Sequence, residues 1–165
     1  MNFRKKLKTT DIDSVREILL SSSFFYDYEI AVAQELVEEN LAKGEEKSGY
    51  IFIIAEKDET PIGFACYGKT PCTADSFDLY WIAVHQNQKN AGIGKGLMHL
   101  IEADIAVLGG KNIWIETSSR PLYEPTRIFY LKTGYDLIAQ LPHFYGKNDH
   151  KHIFLKNLDP MPDPS

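Results

Sequence analysis

The sequence contains few cysteines and no long apolar stretch. Its two cysteines, Cys66 and Cys72, are too few for a disulfide framework and lack the paired spacing of a zinc site, so we expect two reduced thiols. No apolar stretch is long enough to cross a bilayer, and the basic N-terminus is not followed by the apolar segment of a secretory signal. We therefore expect a cytoplasmic protein that does not interact with membranes.

The sequence also has no excess of positive charge. Its 18 Lys and Arg residues against 23 Asp and Glu residues give a net charge of −5, whereas non-specific binding of nucleic acid depends on neutralising phosphates. We therefore expect no nucleic-acid partner. The chain of 165 residues, 44% of them hydrophobic, suits one domain with a single core. We expect this domain to cover residues 1–158 and the proline-rich residues 159–165 to form a flexible tail.

Apolar residues follow helical and strand periods in turn, which predicts a mixed α/β fold. Thr10 and Asp13 have the spacing of a capping box at the start of a first helix, which Ser21 should end, and Gly44 should end a second helix. A third helix should run over residues 93–108 and a short fourth over 125–133. The predicted strands cover residues 3–8, 50–56, 62–67, 77–84, 111–117, 136–144 and 150–155, and the second and third of them should form a hairpin.

The most informative segment is a glycine-bearing loop between an apolar strand and an amphipathic helix. The first turn of a helix has N–H groups without internal partners, and the helix dipole is positive at that end. Glycines let a phosphate approach those N–H groups, and Lys89 and Lys95 add positive charge. The segment therefore predicts a site for a diphosphate. The loop reads Lys89-Asn90-Ala91-Gly92-Ile93-Gly94.

Two other known types of phosphate-binding loop match this segment less well. A purely structural role for its glycines also stays open. A P-loop needs Gly-Lys followed by Ser or Thr, but Gly96 follows Gly94 and Lys95. A dinucleotide-binding fold needs a third glycine where Leu97 stands, and its loop lies near the start of the chain. From the residues alone, glycines that only let the helix pack closely are an alternative to phosphate binding.

Two motifs together resemble the GNAT superfamily of acetyl-CoA-dependent N-acetyltransferases. In that family an apolar strand leads to Arg/Gln-x-x-Gly-x-Gly/Ala at a helix start, and residues 89–94 match with Lys89 for Arg or Gln and with Asn90 at a frequent glycine. Tyr123 stands where the family often has a cofactor-contacting Asn. The resemblance covers about residues 3–158. The later family pattern Leu-Tyr-x-x-x-Gly-Phe corresponds to Phe129-Tyr130-Leu131-Lys132-Thr133-Gly134-Tyr135.

The resemblance implies a fold with a central, mostly antiparallel sheet that is splayed in its middle and flanked by about four helices. It also implies acetyl-CoA as the cofactor. In this family a backbone N–H on the strand before the loop polarises the acetyl carbonyl. The residues assigned to the cofactor are Ile82, Ala83, Val84, Lys89, Asn90, Ala91, Gly92, Ile93, Gly94, Lys95, Thr126 and Tyr130.

Acetyl transfer to an amine needs a base for the amine and an acid for the thiolate. The resemblance places Tyr130 at the position of the acid. Asp78 is the predicted base, because it precedes Val84 at a place where some family members have a glutamate that acts through water, and Glu116 is the alternative base. The competing interpretations are a solvent-facing Asp78 and a Tyr130 that only packs in the core.

The predicted acceptor is a primary amine of a small molecule, a peptide or a protein, acetylated directly in a ternary complex. His143, His150 and His152 have no carboxylate or Cys at ligand spacing, so we expect no metal site. A non-catalytic acyl-CoA sensor or interaction module on the same fold is the alternative function. A homodimer is the commonest assembly of such chains. The residues expected to line the acceptor pocket are Phe25, Tyr26, Tyr80, Glu116 and Tyr145.

Overall fold

The computed structural model describes residues 1–158, and the predicted tail over residues 159–165 lies outside the described residues. Within the described range the chain forms seven strands and four α-helices in mixed order, which confirms the predicted α/β class. Two short 3-10 helices cover Gln86–Gln88 and Pro121–Tyr123. The elements in chain order are β1 (Asn2–Arg4), α1 (Asp11–Ser21), α2 (Asp27–Ser48), β2 (Ile51–Lys57), β3 (Thr60–Lys69), β4 (Ser76–Val84), α3 (Ile93–Val107), β5 (Asn112–Ser118), α4 (Glu124–Lys132), β6 (Asp136–Gly146) and β7 (Asp149–Asn157).

The strands pair in the order β1-β2-β3-β4-β5-β7-β6. The pairs β1–β2, β2–β3, β5–β7 and β6–β7 are antiparallel, and β4–β5 is parallel. The parallel ladder covers only residues 76–79 opposite residues 112–115, although β4 continues to Val84 and β5 to Ser118. The mostly antiparallel sheet with an early end to its central ladder confirms the predicted fold.

The described residues fall into two compact units. The first unit contains Met1–Gly68 and Tyr80–Ile101, and the second contains Lys69–Leu79 and the chain from Glu102 onward. The expectation of one domain over residues 1–158 stays a prediction. Among the helices of the described range, none combines the length and the apolar character that a bilayer span requires.

The core of the first unit is built from the helix pair α1–α2 and the strands β2 and β3. These two strands are buried along most of their length, as expected for continuous apolar runs. The helices contribute apolar residues at helical spacing, so that one face of each turns inward. The cluster comprises Leu7, Val15, Ile18, Leu19, Ile30, Ala33, Val37, Phe52, Ile54, Phe64 and Cys66.

The predicted ends of these two helices have different outcomes: the structure corrects the cap at Thr10 and confirms the break at Gly44. Thr10 has a helical backbone and makes no side-chain cap. The buried carboxylate of the next residue, Asp11, accepts the hydrogen bond of the Lys8 N–H at 2.6 Å. Gly44, with φ 83° and ψ 168°, breaks the helical backbone as predicted, and a further short helical segment completes α2 to Ser48. Gly49, in the left-handed conformation at φ 77°, ends it.

The first strand is shorter than predicted, since β1 ends at Arg4 and not at residue 8. The Arg4 guanidinium donates to the Lys6 carbonyl at 2.6 Å and to both oxygens of the Asp11 carboxylate at 2.8 and 2.9 Å. It also donates to the Glu56 carboxylate of β2 at 3.1 Å. Because both carboxylates are buried, losing the guanidinium would leave uncompensated charge in the interior. This network turns the chain from β1 toward α1.

A lysine joins three elements of the second unit. Lys156 of β7 donates to both oxygens of the Glu102 carboxylate on α3, at 2.6 and 3.0 Å, and to the Thr133 carbonyl at 2.9 Å. Thr133 caps the C-terminal end of α4, where backbone carbonyls lack helical partners and the dipole is negative. The Lys156 ammonium therefore compensates the negative charge of the largely buried Glu102 carboxylate and the negative end of the α4 dipole.

The edge strand β6 is exposed along most of its length on both faces. Leu137 and Ile138 are 47% and 48% exposed. Its register with β7 shifts between Leu141 and Gly146, and His143 in this stretch has φ 57°. The register also shifts between Leu137 and Ala139, so the pairing of β6 with β7 is irregular at two places.

Candidate functional site

The glycine-bearing loop is fixed by hydrogen bonds where it leaves β4. The His85 N–H donates to the Ile62 carbonyl of β3 at 2.7 Å, and the Asn87 N–H donates to His85 Nδ1 at 3.1 Å. The Gln86 N–H donates to the Ser21 hydroxyl at the end of α1 at 3.0 Å. These bonds anchor the start of the loop to two neighbouring elements of the first unit.

Two residues of the loop have a left-handed backbone. Asn90 has φ 69° and Gly92 has φ 78°. Asparagine tolerates this conformation better than most residues, so Asn90 fits a position where the family often has glycine. A Cβ atom on Gly92 would meet no heavy atom within 4 Å. The backbone angle, and not a lack of space, therefore requires glycine at this position, and close packing alone does not explain it.

Close packing does explain two glycines nearby. A Cβ atom on Gly96 would lie 3.2 Å from the Phe3 ring of β1. A Cβ atom on Gly63 of β3 would lie 3.3 Å from the side chain of Ile93 and 3.2 Å from the Ala83 carbonyl oxygen. The buried Ile93 side chain is thus held against β3, which fixes the position at which α3 begins.

The start of α3 presents N–H groups that have no partner inside the helix. The first helical bond of this segment runs from the Gly96 N–H to the Gly92 carbonyl at 3.0 Å. The N–H groups of Ile93, Gly94 and Lys95 come before any intrahelical acceptor and lie at the positive end of the helix dipole. Such a set of converging donors is the chemistry that binds a phosphate group.

Exposed positive charge flanks these donors. Lys89 and Lys95 are both exposed, as are Asn90 and Ala91 between them. The Lys89 ammonium lies 5.8 Å from the centroid of the Phe24 ring, which is near the outer limit of a cation–π contact. Two exposed lysines therefore flank the start of the helix.

The last residues of β4 lead into this loop. Ile82, Ala83 and Val84 are half-buried and lie beyond the ladder with β5, which ends at Leu79. On that side their backbone groups have no strand partner within the described ladder. A strand with an open side can accept an extended ligand as an additional pairing partner.

The predicted acid, Tyr130, lies on α4 in the second unit. Its side chain is buried, and its ring centroid lies 5.5 Å from that of Phe154 and 6.3 Å from that of Tyr135. Burial raises the pKa of the Tyr130 hydroxyl well above its ordinary value. Thr126, half-buried, lies one helical turn earlier on the same side of α4.

The predicted base, Asp78, lies in the first part of β4, which belongs to the second unit. Its Oδ2 atom accepts a hydrogen bond from the Thr70 hydroxyl at 2.8 Å. The residue is half-buried and stands opposite Trp114 in the parallel ladder. The Thr70 bond orients the carboxylate, as a positioned base requires.

The alternative base, Glu116, and the predicted pocket residue Tyr145 both contact a lysine that sequence analysis did not single out. Lys151 Nζ lies 2.9 Å from Glu116 Oε2, 3.6 Å from the centroid of the Phe144 ring and 5.9 Å from that of Tyr145. The structure thus brings Glu116 and Tyr145 together around Lys151. The alternation of β7 was the only sequence signal for it, since Lys151 and Ile153 fall on one face.

The aromatic residues predicted for the acceptor pocket are divided within the first unit. The Phe25 ring lies 5.6 Å from that of Trp81, and Tyr26 is 49% exposed at the start of α2. The ring centroid of Tyr80 lies 5.5 Å from that of Tyr50. Because Tyr80 and Trp81 are neighbours on β4, their side chains point to opposite faces. The structure therefore does not bring Tyr80 together with Phe25.

An arginine between the two family motifs binds backbone carbonyls at and just after the end of β5. Arg127 of α4 donates from Nη1 to the carbonyls of Ser118 at 2.8 Å and Arg120 at 2.9 Å. The His150 N–H donates to the Ser119 hydroxyl at 2.8 Å. Sequence reasoning missed Arg127 because no local pattern tells which carbonyls a helix-borne guanidinium will meet.

The histidines of the β6–β7 hairpin accept backbone hydrogen bonds. The His143 N–H donates to His150 Nδ1 at 2.8 Å, and the Asn148 N–H donates to His143 Nδ1 at 2.9 Å. These bonds shape the turn. In the part of the chain that the structure describes, no three His, Cys, Asp or Glu residues are grouped to hold a metal ion.

The mixed sheet and the donor-rich start of α3 are the features of an acetyltransferase domain, and comparisons identify its family. A sequence model of the GNAT acetyltransferase domain matches residues 48–137. A solved structure of a GNAT-family protein from Desulfovibrio desulfuricans is 39% identical, with a TM-score of 0.93 over 96% of this chain and 99% of that chain. The chain belongs to the GNAT acetyltransferase family.

More distant solved structures share the fold. The aminoglycoside 6′-N-acetyltransferase from Enterococcus faecium is 21% identical, with a TM-score of 0.76 over 99% of this chain and 100% of that chain. The structure of yncA from Salmonella typhimurium with its cofactor acetyl-CoA is 16% identical, with a TM-score of 0.74 over 100% of this chain and 98% of that chain. A comparison with curated proteins finds no match.

Proposed function

We propose that this chain moves the acetyl group of acetyl-CoA directly to a primary amine of a small molecule, a peptide or a protein. The observation that carries the proposal is the start of α3, where the left-handed Gly92 precedes three N–H groups without helical partners. Membership of the GNAT family supports it. The fold shared with yncA, whose structure contains acetyl-CoA, supports the cofactor.

The chain's own groups suit each part of this cofactor. The N–H groups of Ile93, Gly94 and Lys95 would bind the pyrophosphate, with Asn90 and Ala91 shaping the approach to them. Lys89 would add positive charge beside the same phosphates. The open side of β4 at residues 82–84 would pair with the extended part of the cofactor, and an N–H of this stretch would donate to the acetyl carbonyl. Acetyl-CoA supplies the acetyl group as an activated thioester.

Two protons must move during the transfer. Asp78, oriented by the Thr70 hydroxyl, would take the proton of the acceptor amine, either directly or through water. The amine nitrogen then forms a bond to the acetyl carbon, and the bond from carbon to sulfur breaks. Tyr130 would donate its hydroxyl proton to the sulfur. Thr126, one turn earlier, is proposed to contact the cofactor beside it.

Substitution of Gly92 tests the cofactor site with a closely matched control. Gly92 and Gly109 both have a left-handed backbone, at φ 78° and 87°, and a Cβ atom on either would meet nothing within 4 Å. Gly92→Ala and Gly109→Ala therefore introduce the same kind of backbone strain. We expect only Gly92→Ala to weaken acetyl-CoA binding, by about tenfold or more, because about 1.4 kcal/mol of lost binding energy suffices.

Calorimetry with acetyl-CoA measures this difference, and thermal unfolding of both variants confirms that each folds. If both variants bind acetyl-CoA with equal affinity, the loop is not part of the cofactor site. A ligand that binds only the folded state must stabilise it. If saturating acetyl-CoA does not raise the melting temperature of the wild-type protein, acetyl-CoA is not its cofactor.

The alternative function is a non-catalytic acyl-CoA sensor. One observation favours it, namely the burial of Tyr130 among the rings of Phe154 and Tyr135, which also fits a residue that only packs. Acetyl-CoA binding together with no thiol release across a broad panel of amines would establish the sensor. Thiol release with any amine of that panel would exclude it.

A further inference from the structure

The second unit contains a primary ammonium that is held by a carboxylate and two aromatic rings. We name this group the amine cage, defined by Glu116, Phe144 and Tyr145, and its occupant is the chain's own Lys151. The Lys151 Nζ atom lies 2.9 Å from Glu116 Oε2 and 3.6 Å from the centroid of the Phe144 ring. A carboxylate and aromatic faces at such distances are the groups that recognise an amine cation.

The cage is built from three neighbouring strands. Lys151 of β7 pairs with Ser118 of β5, and Glu116 lies two residues before Ser118 on the same face. Phe144 and Tyr145 come from the end of β6, where its register with β7 shifts. The backbone of two paired strands therefore sets the separation of Lys151 from Glu116.

The two charged partners differ in their access to solvent. The Lys151 side chain is 11% exposed, whereas the Glu116 side chain is 56% exposed. The lysine stem is buried, which restricts its movement out of the cage. The Glu116 carboxylate is accessible to an incoming molecule, but the positive charge of Lys151 already lies beside it. An additional ammonium arriving at this carboxylate would meet the charge of Lys151, and like charges brought together oppose binding.

We propose that Lys151 determines acceptor specificity by occupying the amine cage, so that the protein acetylates amines that carry no second positive charge near the reacting group. The inference rests on the proposed function, because it concerns the amine acceptor of that reaction, whose pocket the sequence predicts to include Glu116 and Tyr145. It names the acceptor class as monoamines whose remaining part is neutral or anionic. Specificity of this kind comes from excluding the wrong ligand, not from added contacts with the right one.

The test compares two acceptors of equal length, n-butylamine with one amine and putrescine with two. For wild-type protein we expect kcat/KM to be higher for n-butylamine. Lys151→Met keeps the buried stem and removes the charge, and it should raise the ratio of putrescine to n-butylamine by at least about tenfold. Lys151→Arg keeps the charge and should leave the ratio as in wild type. Lys147→Met makes the same charge change at an exposed position of the same hairpin and should also leave it unchanged.

A ratio that stays the same in Lys151→Met, with both amines affected equally, would reduce Lys151 to a structural residue and overturn the inference. A ratio that shifts as much in Lys147→Met would assign the effect to general charge and overturn it too. The ratio of dissociation constants, measured by calorimetry with coenzyme A present, gives the same comparison without turnover. If the wild type releases no thiol but this ratio shifts in Lys151→Met, the proposed activity fails while the cage stands.

Discussion

The glycine loop and the β6–β7 hairpin present binding groups in opposite ways. In the loop, two left-handed residues, Asn90 and Gly92, precede the helix N–H groups, and the nearby side chains are exposed. In the hairpin, side chains provide the chemistry, with Lys151 held between Glu116 and Phe144. The loop therefore depends on φ angles, and the hairpin depends on individual residues. We therefore expect the proposed cofactor site to survive side-chain changes that would alter the proposed acceptor site.

The largest effect expected from this contrast is that of Tyr130→Phe. Removing the proposed acid should lower kcat about a hundredfold, which is the lower end of what general acid catalysis contributes. The affinity for acetyl-CoA should stay unchanged, because the ring keeps its packing against Phe154 and the loop is proposed to bind the cofactor through its backbone. Thiol release and calorimetry measure the two quantities on one preparation.

Tyr135→Phe is the control for this prediction. It removes a hydroxyl from the adjacent buried ring and should leave kcat near the wild-type value. A Tyr130→Phe protein that turns over at the wild-type rate would show that the residue only packs, and an equal loss in both variants would show that the defect is structural.

Lys156→Met extends the contrast to stability and should have an intermediate effect. The Glu102 carboxylate and the Thr133 carbonyl both lose their donor, so the free energy of unfolding should fall by about 2 kcal/mol, as for a hydrogen bond to a charged group. Urea denaturation measures this change. Lys43→Met removes an exposed ion pair with Glu39 on α2 and should change nothing measurable. Similar losses in both variants would contradict the importance of partial burial.

The smallest effect expected concerns acid stability. Burial, with the charges of Arg127 and His150, lowers the pKa of His152 below its ordinary value of 6.5. The unfolded chain then binds a proton at a pH where the folded chain does not, so this residue costs stability as the pH falls from about 6.5 toward the lower folded pKa. His152→Gln removes the cost, and the loss of unfolding free energy between about pH 7.5 and about pH 5.5 should be smaller than in wild type.

His99→Gln is the matched control, because His99 is exposed on α3. Its urea midpoints should follow those of wild type at both pH values. If His152→Gln also follows wild type, the histidine titrates alike in the folded and unfolded chain, and the hairpin has no acid-sensitive group at this position.

Local patterns in the sequence predicted the order of the elements, the β2–β3 hairpin and the loop at the start of α3. The turn of that hairpin, at Asp58 and Glu59, and the loop residues Asn90 and Gly92 all have positive φ. Such features depend on a few adjacent residues, which is why they can be predicted. The missing cap at Thr10 is a different case, because Thr10 already has a helical backbone and the adjacent Asp11 is held by Arg4, a contact that no local pattern contains.

The surroundings of Lys151 could not be predicted for a related reason. They exist because β7 lies between β5 and β6 in the sheet, so that Glu116 of one neighbour and Phe144 of the other reach the same ammonium. The order of strands across a sheet is a long-range property. A helical or alternating period shows where an element lies in the chain, but not which elements become its neighbours. The roles of Asp78, Tyr130 and Thr126 stay predictions, because they depend on contacts with the cofactor and the acceptor.

The irregular end of β6 has a consequence for how the chain behaves at high concentration. An exposed edge with apolar residues such as Leu137 and Ile138 is a template on which another extended segment can add itself. Pro142 has no N–H to offer, and the left-handed His143 turns the backbone out of line directly after it. With the register shift between Leu137 and Ala139, these features make the edge irregular, and an irregular edge is a poor template for a foreign strand.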